Sequence, residues 1–69
     1  MSVSIQDQIK EAQRELGLRR RLYPDWVQQG RLTLEDSYRQ LAAMDAIVET
    51  LKRVQAETQL PLFTRPAVP

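Results

Sequence analysis

A chain of 69 residues makes at most one domain, and its formal net charge is +1, from 10 basic and 9 acidic side chains. This near balance excludes a generally basic nucleic-acid coat, although a local basic patch remains open. The absence of Cys and His excludes a disulfide framework, a zinc finger and a Ser-His-Asp triad. No apolar run approaches the ~18 residues of a membrane span and no signal-peptide pattern opens the chain, so we expect a soluble, cytoplasmic protein without a membrane partner.

The first predicted helix runs from Ser4 to about Leu22. Ser4 is a favourable N-cap residue. Apolar residues then recur every three or four positions, which places them on one helix face: Ile5, Ile9, Ala12 and Leu16. Gly17 is unfavourable in a helix interior and marks either a close contact with another helix or a kink.

The connection contains signals for a short helical turn of its own. Pro24 disfavours helical geometry at Tyr23 and suits the first position of a new helix, while Gly30 suits the residue just past its end. Tyr23 and Trp26 have two interpretations, a platform for bases or a partner, or a pair that closes the core at the turn. An aromatic pair beside a proline favours the second interpretation.

The second predicted helix has Thr33 as its N-cap and runs to about Glu57. Its apolar residues follow a heptad pattern, with Leu34, Leu41, Met44, Val48 and Leu51 at core positions. Ile47 and Val54 widen this stripe on one flank.

These elements predict an all-α protein, an antiparallel helical hairpin over residues 1–58 followed by an extended tail over residues 59–69. The stripe on the second helix is broader than one partner helix can cover, and a lone hairpin is smaller than most chains that fold unaided. We therefore predict a homodimer in which two hairpins form a four-helix bundle. The alternative is a monomer whose tail folds back over the stripe.

No side chains occur in a recognisable catalytic spacing, so we expect a protein that is not an enzyme, with no catalytic residue, metal or cofactor. Asp45 is the only carboxylate close to the stripe, and with Glu49 it forms an i,i+4 pair that could bind a hard cation weakly. More commonly, an acid at such a flanking position reaches water or pairs with an arginine across the interface.

A basic cluster is predicted at the hairpin tip, which we call the arginine tip: Arg19, Arg20, Arg21 and Arg31. One interpretation is phosphate contact with nucleic acid. The other is a solvated helix end, where cations interact favourably with the helix dipole.

The tail contains a compact apolar peptide, Gln59-Leu60-Pro61-Leu62-Phe63, directly after the second helix. Gln59 can donate and accept hydrogen bonds, Leu62 and Phe63 can enter a hydrophobic pocket, and Pro61 lowers the entropy lost on docking. A competing interpretation is that the apolar side chains of this peptide cap the end of the hairpin opposite Trp26.

This peptide resembles the Gln-Leu-x-Leu-Phe consensus by which many bacterial proteins bind the sliding clamp, the β subunit of DNA polymerase. All the consensus residues match, and Pro61 occupies the tolerant middle position. The resemblance implies that Gln59 bonds at the rim of the clamp's cleft, that Leu62 and Phe63 fill it, and that Leu60 supports the approach.

The body of the chain is similar to small uncharacterised helical proteins of proteobacterial phages and prophages, through residues 19–27, 30–33 and 39–44. The two resemblances together favour a phage or prophage protein that binds the bacterial sliding clamp and modulates or inhibits host DNA replication. Two alternatives are a nucleic-acid-binding accessory protein that acts through the arginine tip, and an inhibitor that binds another host or phage protein by its apolar helical face.

Overall fold

A computed structural model of the chain describes residues 2–59, the side chain of Gln59 aside. It contains two long helices, α1 (Ile5–Gln28) and α2 (Leu34–Gln59), joined by a short turn. Residues late in α1 contact residues early in α2, since the Tyr23 hydroxyl donates to Gln40 Oε1 at 3.0 Å, so the helices are antiparallel. The predicted all-α helical hairpin is therefore confirmed.

Both helices begin at the predicted N-caps. Ser4 Oγ accepts a hydrogen bond from the backbone N–H of Asp7 at 3.1 Å. Thr33 Oγ1 accepts from the N–H of Asp36 at 3.0 Å. Each bond satisfies one of the donors that a helix start leaves without an intrahelical partner.

Pro24 lies inside α1, where the sequence predicted a break and a separate short helix. The stretch that follows Pro24 is helical as predicted, but it is continuous with α1. A proline in a helix interior removes a backbone hydrogen bond and costs about 3 kcal/mol. Tyr23 is only 6% exposed and its hydroxyl is bound by Gln40, so these tertiary contacts hold Tyr23 in the helical geometry that a following proline disfavours.

The turn after α1 is a Schellman motif centred on Gly30. The Gly30 N–H donates to the Val27 carbonyl at 3.1 Å, and the Arg31 N–H donates to the Trp26 carbonyl at 2.8 Å. Gly30 has a φ of 78°, in the left-handed region that glycine adopts without strain. The prediction that Gly30 follows the end of a helix is confirmed.

The core is a single layer between the two helices. Its centre consists of Ala12, Leu16, Met44 and Val48, with Leu41 and Leu51 partly buried against them. Ile9, Tyr23 and Ser37 are also buried. Val48, the most buried of these side chains, keeps 3% of its surface exposed, so no side chain of residues 2–58 is sealed completely.

Leu34 was predicted to be a core residue but is 54% exposed. It is the first residue of α2, and α1 has already ended at Gln28, so the neighbouring helix does not cover it. The helix α1 is continuous through Gly17. Among the described residues, a Cβ built at Gly17 would meet no atom of the neighbouring helix within 4 Å, so the hairpin makes no close contact there.

The helix α2 ends at Gln59, two residues beyond the predicted end near Glu57. Neither α1 nor α2 has the combination of length and apolarity that crossing a membrane requires.

Candidate partner-binding site

The candidate clamp-binding peptide begins at the last residue of α2. Thr58 Oγ1 donates to the Val54 carbonyl at 2.8 Å within the final turns of this helix. Gln59 is its last residue, and Leu60, Pro61, Leu62 and Phe63 lie outside the described residues. The predicted roles of these four residues, whether in a clamp or as a cap on their own hairpin, stay predictions.

The antiparallel hairpin sets Gln59 and the arginine tip toward opposite ends of α2. Gln40 contacts Arg19 and Tyr23 near the turn. Gln59 follows 19 positions later, which is about 28 Å along the helix axis at 1.5 Å per residue. Gln59, the first residue of the peptide, therefore lies far along α2 from the arginine tip.

Three of the four arginines of the tip have partners within the hairpin. Arg19 Nε is 2.8 Å from Glu15 Oε2, and its guanidinium also donates to the Gln40 carbonyl at 3.3 Å. The Arg20 guanidinium is 3.7 Å from Asp45 Oδ1 across the hairpin. The Arg31 guanidinium lies over the Trp26 ring, 5.2 Å from the ring centroid.

Arg21, the fourth arginine of the tip, forms no polar contact within residues 2–58. A phosphate that approached the tip would therefore meet one uncommitted guanidinium and three that must share or exchange their present partners. The predicted helix end at these arginines is wrong, because Arg19, Arg20 and Arg21 lie in the interior of α1 and its last turn contains no basic residue, so the helix dipole does not account for the cluster. The paired arginines match a solvated face of α1 more closely than a prepared phosphate site.

Tyr23 and Trp26 pack together at the turn end of the hairpin. Their ring centroids are 5.4 Å apart with the planes tilted by 31°. Tyr23 is buried and Trp26 is half-buried under Arg31. The prediction that this aromatic pair closes the core is confirmed for Tyr23, whose ring has no free face to offer a nucleic-acid base.

Asp45 has the structural role that its flanking position predicted. Its carboxylate pairs with Arg20 on the other helix, and both side chains are more than half exposed. Within the described residues, no group of three or more acidic side chains is arranged to hold a metal ion. No pocket opens in the described part of the surface.

Two contact residues of the hairpin were not predicted. Gln40 bridges the helices, since its side-chain oxygen accepts from Tyr23 and its backbone carbonyl accepts from Arg19. Ser37 is 5% exposed. Gln40 and Ser37 precede Met44 by four and seven residues, a spacing that places both near the α1-facing side of α2. The sequence analysis followed apolar residues only, so it did not identify these two polar residues.

No protein family, curated protein or solved structure matches this chain. Its function is therefore inferred from its own residues.

Proposed function

We propose that this chain is a non-enzymatic interaction protein that binds the bacterial sliding clamp through Gln59–Phe63 and so modulates host DNA replication, in a phage or prophage setting. The observation that carries the proposal is the full match of this peptide to the clamp-binding consensus at the C-terminal end of α2. In this arrangement the hairpin is a carrier that presents the peptide at one end.

Two observations support a separate role for the peptide. Among the described residues, the hairpin core is built from side chains between Ile9 and Leu51, one or more turns before the peptide begins. Within the peptide, Pro61 has no backbone N–H to donate and disfavours helical dihedrals at Leu60, so the sequence favours an end to the helix there.

Leu62 and Phe63 are the residues on which we expect affinity to depend. Full burial of a large apolar side chain contributes about 1.5–3 kcal/mol, so removing both side chains weakens binding by about a hundredfold or more. Gln59 contributes orientation through hydrogen bonds at the rim of the cleft. A bound peptide would occupy a surface that clamp-dependent polymerases also need, so competition is the expected effect on replication.

The test is direct binding of the full chain to immobilised, purified sliding clamp. The variant Leu62→Ala/Phe63→Ala should lose the interaction, while Thr64→Ala/Val68→Ala, a double change in the same tail outside the consensus, should retain it. Equal binding by both variants, or no binding by the unaltered chain, would refute the proposal. Clamp-dependent primer extension then reports whether binding inhibits or assists synthesis.

A further inference from the structure

One side of α2 carries no charged residue over most of its length. At about 100° per residue, seven positions between Gln40 and Thr58 share an arc of about 100° beside the α1-facing side. We call this surface the uncharged flank, and it consists of Gln40, Ala43, Ile47, Thr50, Leu51, Val54 and Thr58. All charged residues of the same stretch lie outside the arc: Asp45, Glu49, Lys52, Arg53 and Glu57.

The apolar side chains of the uncharged flank are open to solvent in the single hairpin. Ile47 is 48% exposed and Val54 is 42% exposed, while Leu51 at the edge is half-buried against the core. In a chain with 28% charged residues, a solvent-facing helix surface normally carries charge. An extended uncharged surface with exposed Ile and Val is typical of an interface.

The hairpin also needs a second layer for stability. Its one core layer contains few buried side chains, and a two-helix chain of this size buries too little apolar surface to be more than marginally stable alone. Packing a further apolar surface on the uncharged flank would complete the burial of Leu51 and cover Ile47 and Val54.

We propose that the uncharged flank packs against the same flank of a second copy of this chain, with the two α2 helices antiparallel. A twofold axis between Thr50 and Leu51 pairs Ile47 of each copy with Val54 of the other, which gives two equivalent contacts. The same axis brings the small side chain of Ala43 next to Thr58 of the second copy. The two exposed aliphatic residues of the flank thus meet each other across the axis, and the lack of charge on the flank leaves no ion unpaired on either side.

This arrangement specifies where the two C-terminal ends lie. Gln59 is about eight and a half positions from the twofold axis, so the two copies of Gln59 are about 26 Å apart along the bundle. The C-terminal ends of the two α2 helices point in opposite directions. If the proposed clamp binding holds, the dimer presents two peptides, and avidity follows where the clamp sites match that span. The dimer itself does not depend on clamp binding.

The first test is sedimentation equilibrium of the full chain and two lysine variants. The unaltered chain should have twice the 8.0 kDa chain mass at concentrations where Ile47→Lys, which places a charge in both symmetric contacts, is monomeric. We expect Ile47→Lys to raise the dimer dissociation constant by about a hundredfold. Leu34→Lys is the matched control, since Leu34 is equally exposed but lies off the flank, and it should stay dimeric. Circular dichroism verifies that both variants keep the helical content of the unaltered chain.

The second test is disulfide cross-linking, which the absence of native Cys makes unambiguous. Ile47→Cys/Val54→Cys should oxidise to a covalent dimer, because these positions meet between copies, whereas within one helix they are about 10.5 Å apart and beyond disulfide reach. Ile47→Cys alone should cross-link poorly. Efficient cross-linking by Ile47→Cys alone would overturn the antiparallel arrangement.

A monomeric chain at all concentrations would overturn the proposal, as would equal weakening by Ile47→Lys and Leu34→Lys. A monomer that dimerises only when Leu62 and Phe63 are replaced by Ala would also overturn it, and would identify the chain's own tail as the occupant of the flank. Clamp binding is read in a separate assay, so a failure of either proposal is distinguishable from a failure of the other.

Discussion

Replacing Gly17 with Ala should stabilise the hairpin. Gly17 lies in the interior of α1, where glycine costs about 1 kcal/mol relative to alanine because it loses more backbone freedom on folding. A Cβ at this position would meet no atom within 4 Å, so the new methyl group adds no clash. We therefore expect about 1 kcal/mol of added stability, a rise in melting temperature of ~4–8 °C for a chain of this size. Thermal unfolding followed by circular dichroism, at one fixed protein concentration, measures it.

Gly30→Ala is the matched control, because it is the same chemical change in equally open space. Gly30 has a φ of 78°, where an L side chain is strained by about 1–2 kcal/mol, so this variant should melt lower. The changes in melting temperature of Gly17→Ala and Gly30→Ala would then have opposite signs, and the difference would follow from the backbone conformation at the two positions. A Gly17→Ala variant that melts at or below the unaltered chain would refute the reasoning.

Three further predictions concern the hairpin, and unfolding in urea checks each of them. Met44→Ala should cost about 2–3 kcal/mol because Met44 is buried in the core, whereas Leu34→Ala should change stability by less than ~0.5 kcal/mol; similar losses would contradict the assigned core. Pro24→Ala should add about 2 kcal/mol by restoring a helix hydrogen bond, and a loss would mean that the proline geometry is required. A double-mutant cycle on Arg20 and Asp45 should give a coupling below ~1 kcal/mol, since both side chains are largely solvated; a larger value would show that the pair is shielded from solvent.

Local chemistry made much of this fold predictable. Ser4 and Thr33 cap their helices as expected, because a hydroxyl just before the first helical residue can accept a hydrogen bond from a backbone N–H of the first turn. The heptad spacing correctly identified Met44 and Val48 as core residues. The pairing of Asp45 with an arginine across the hairpin also followed from its place at the edge of the stripe.

The errors arose where tertiary context outweighed a local rule. A spacing pattern cannot say where the partner helix stops, so Leu34 was assigned to the core although α1 ends before reaching it. The proline rule predicted a break at Tyr23, whereas burial and the bond to Gln40 keep α1 continuous. The candidate site is different in kind, since Gln59–Phe63 is a linear pattern whose proposed partner is another molecule, and a binding measurement tests it.

The central claim is that residues 59–63 enter the peptide-binding cleft of the sliding clamp. Its most direct test is displacement, in which a fluorescent clamp-binding peptide is bound to purified clamp and the full chain is titrated in. The account predicts complete displacement by the unaltered chain and none, over the same range, by Leu62→Ala/Phe63→Ala. A chain that binds the clamp but leaves the fluorescent peptide in place, or that displaces it equally well with both residues replaced, would contradict the account.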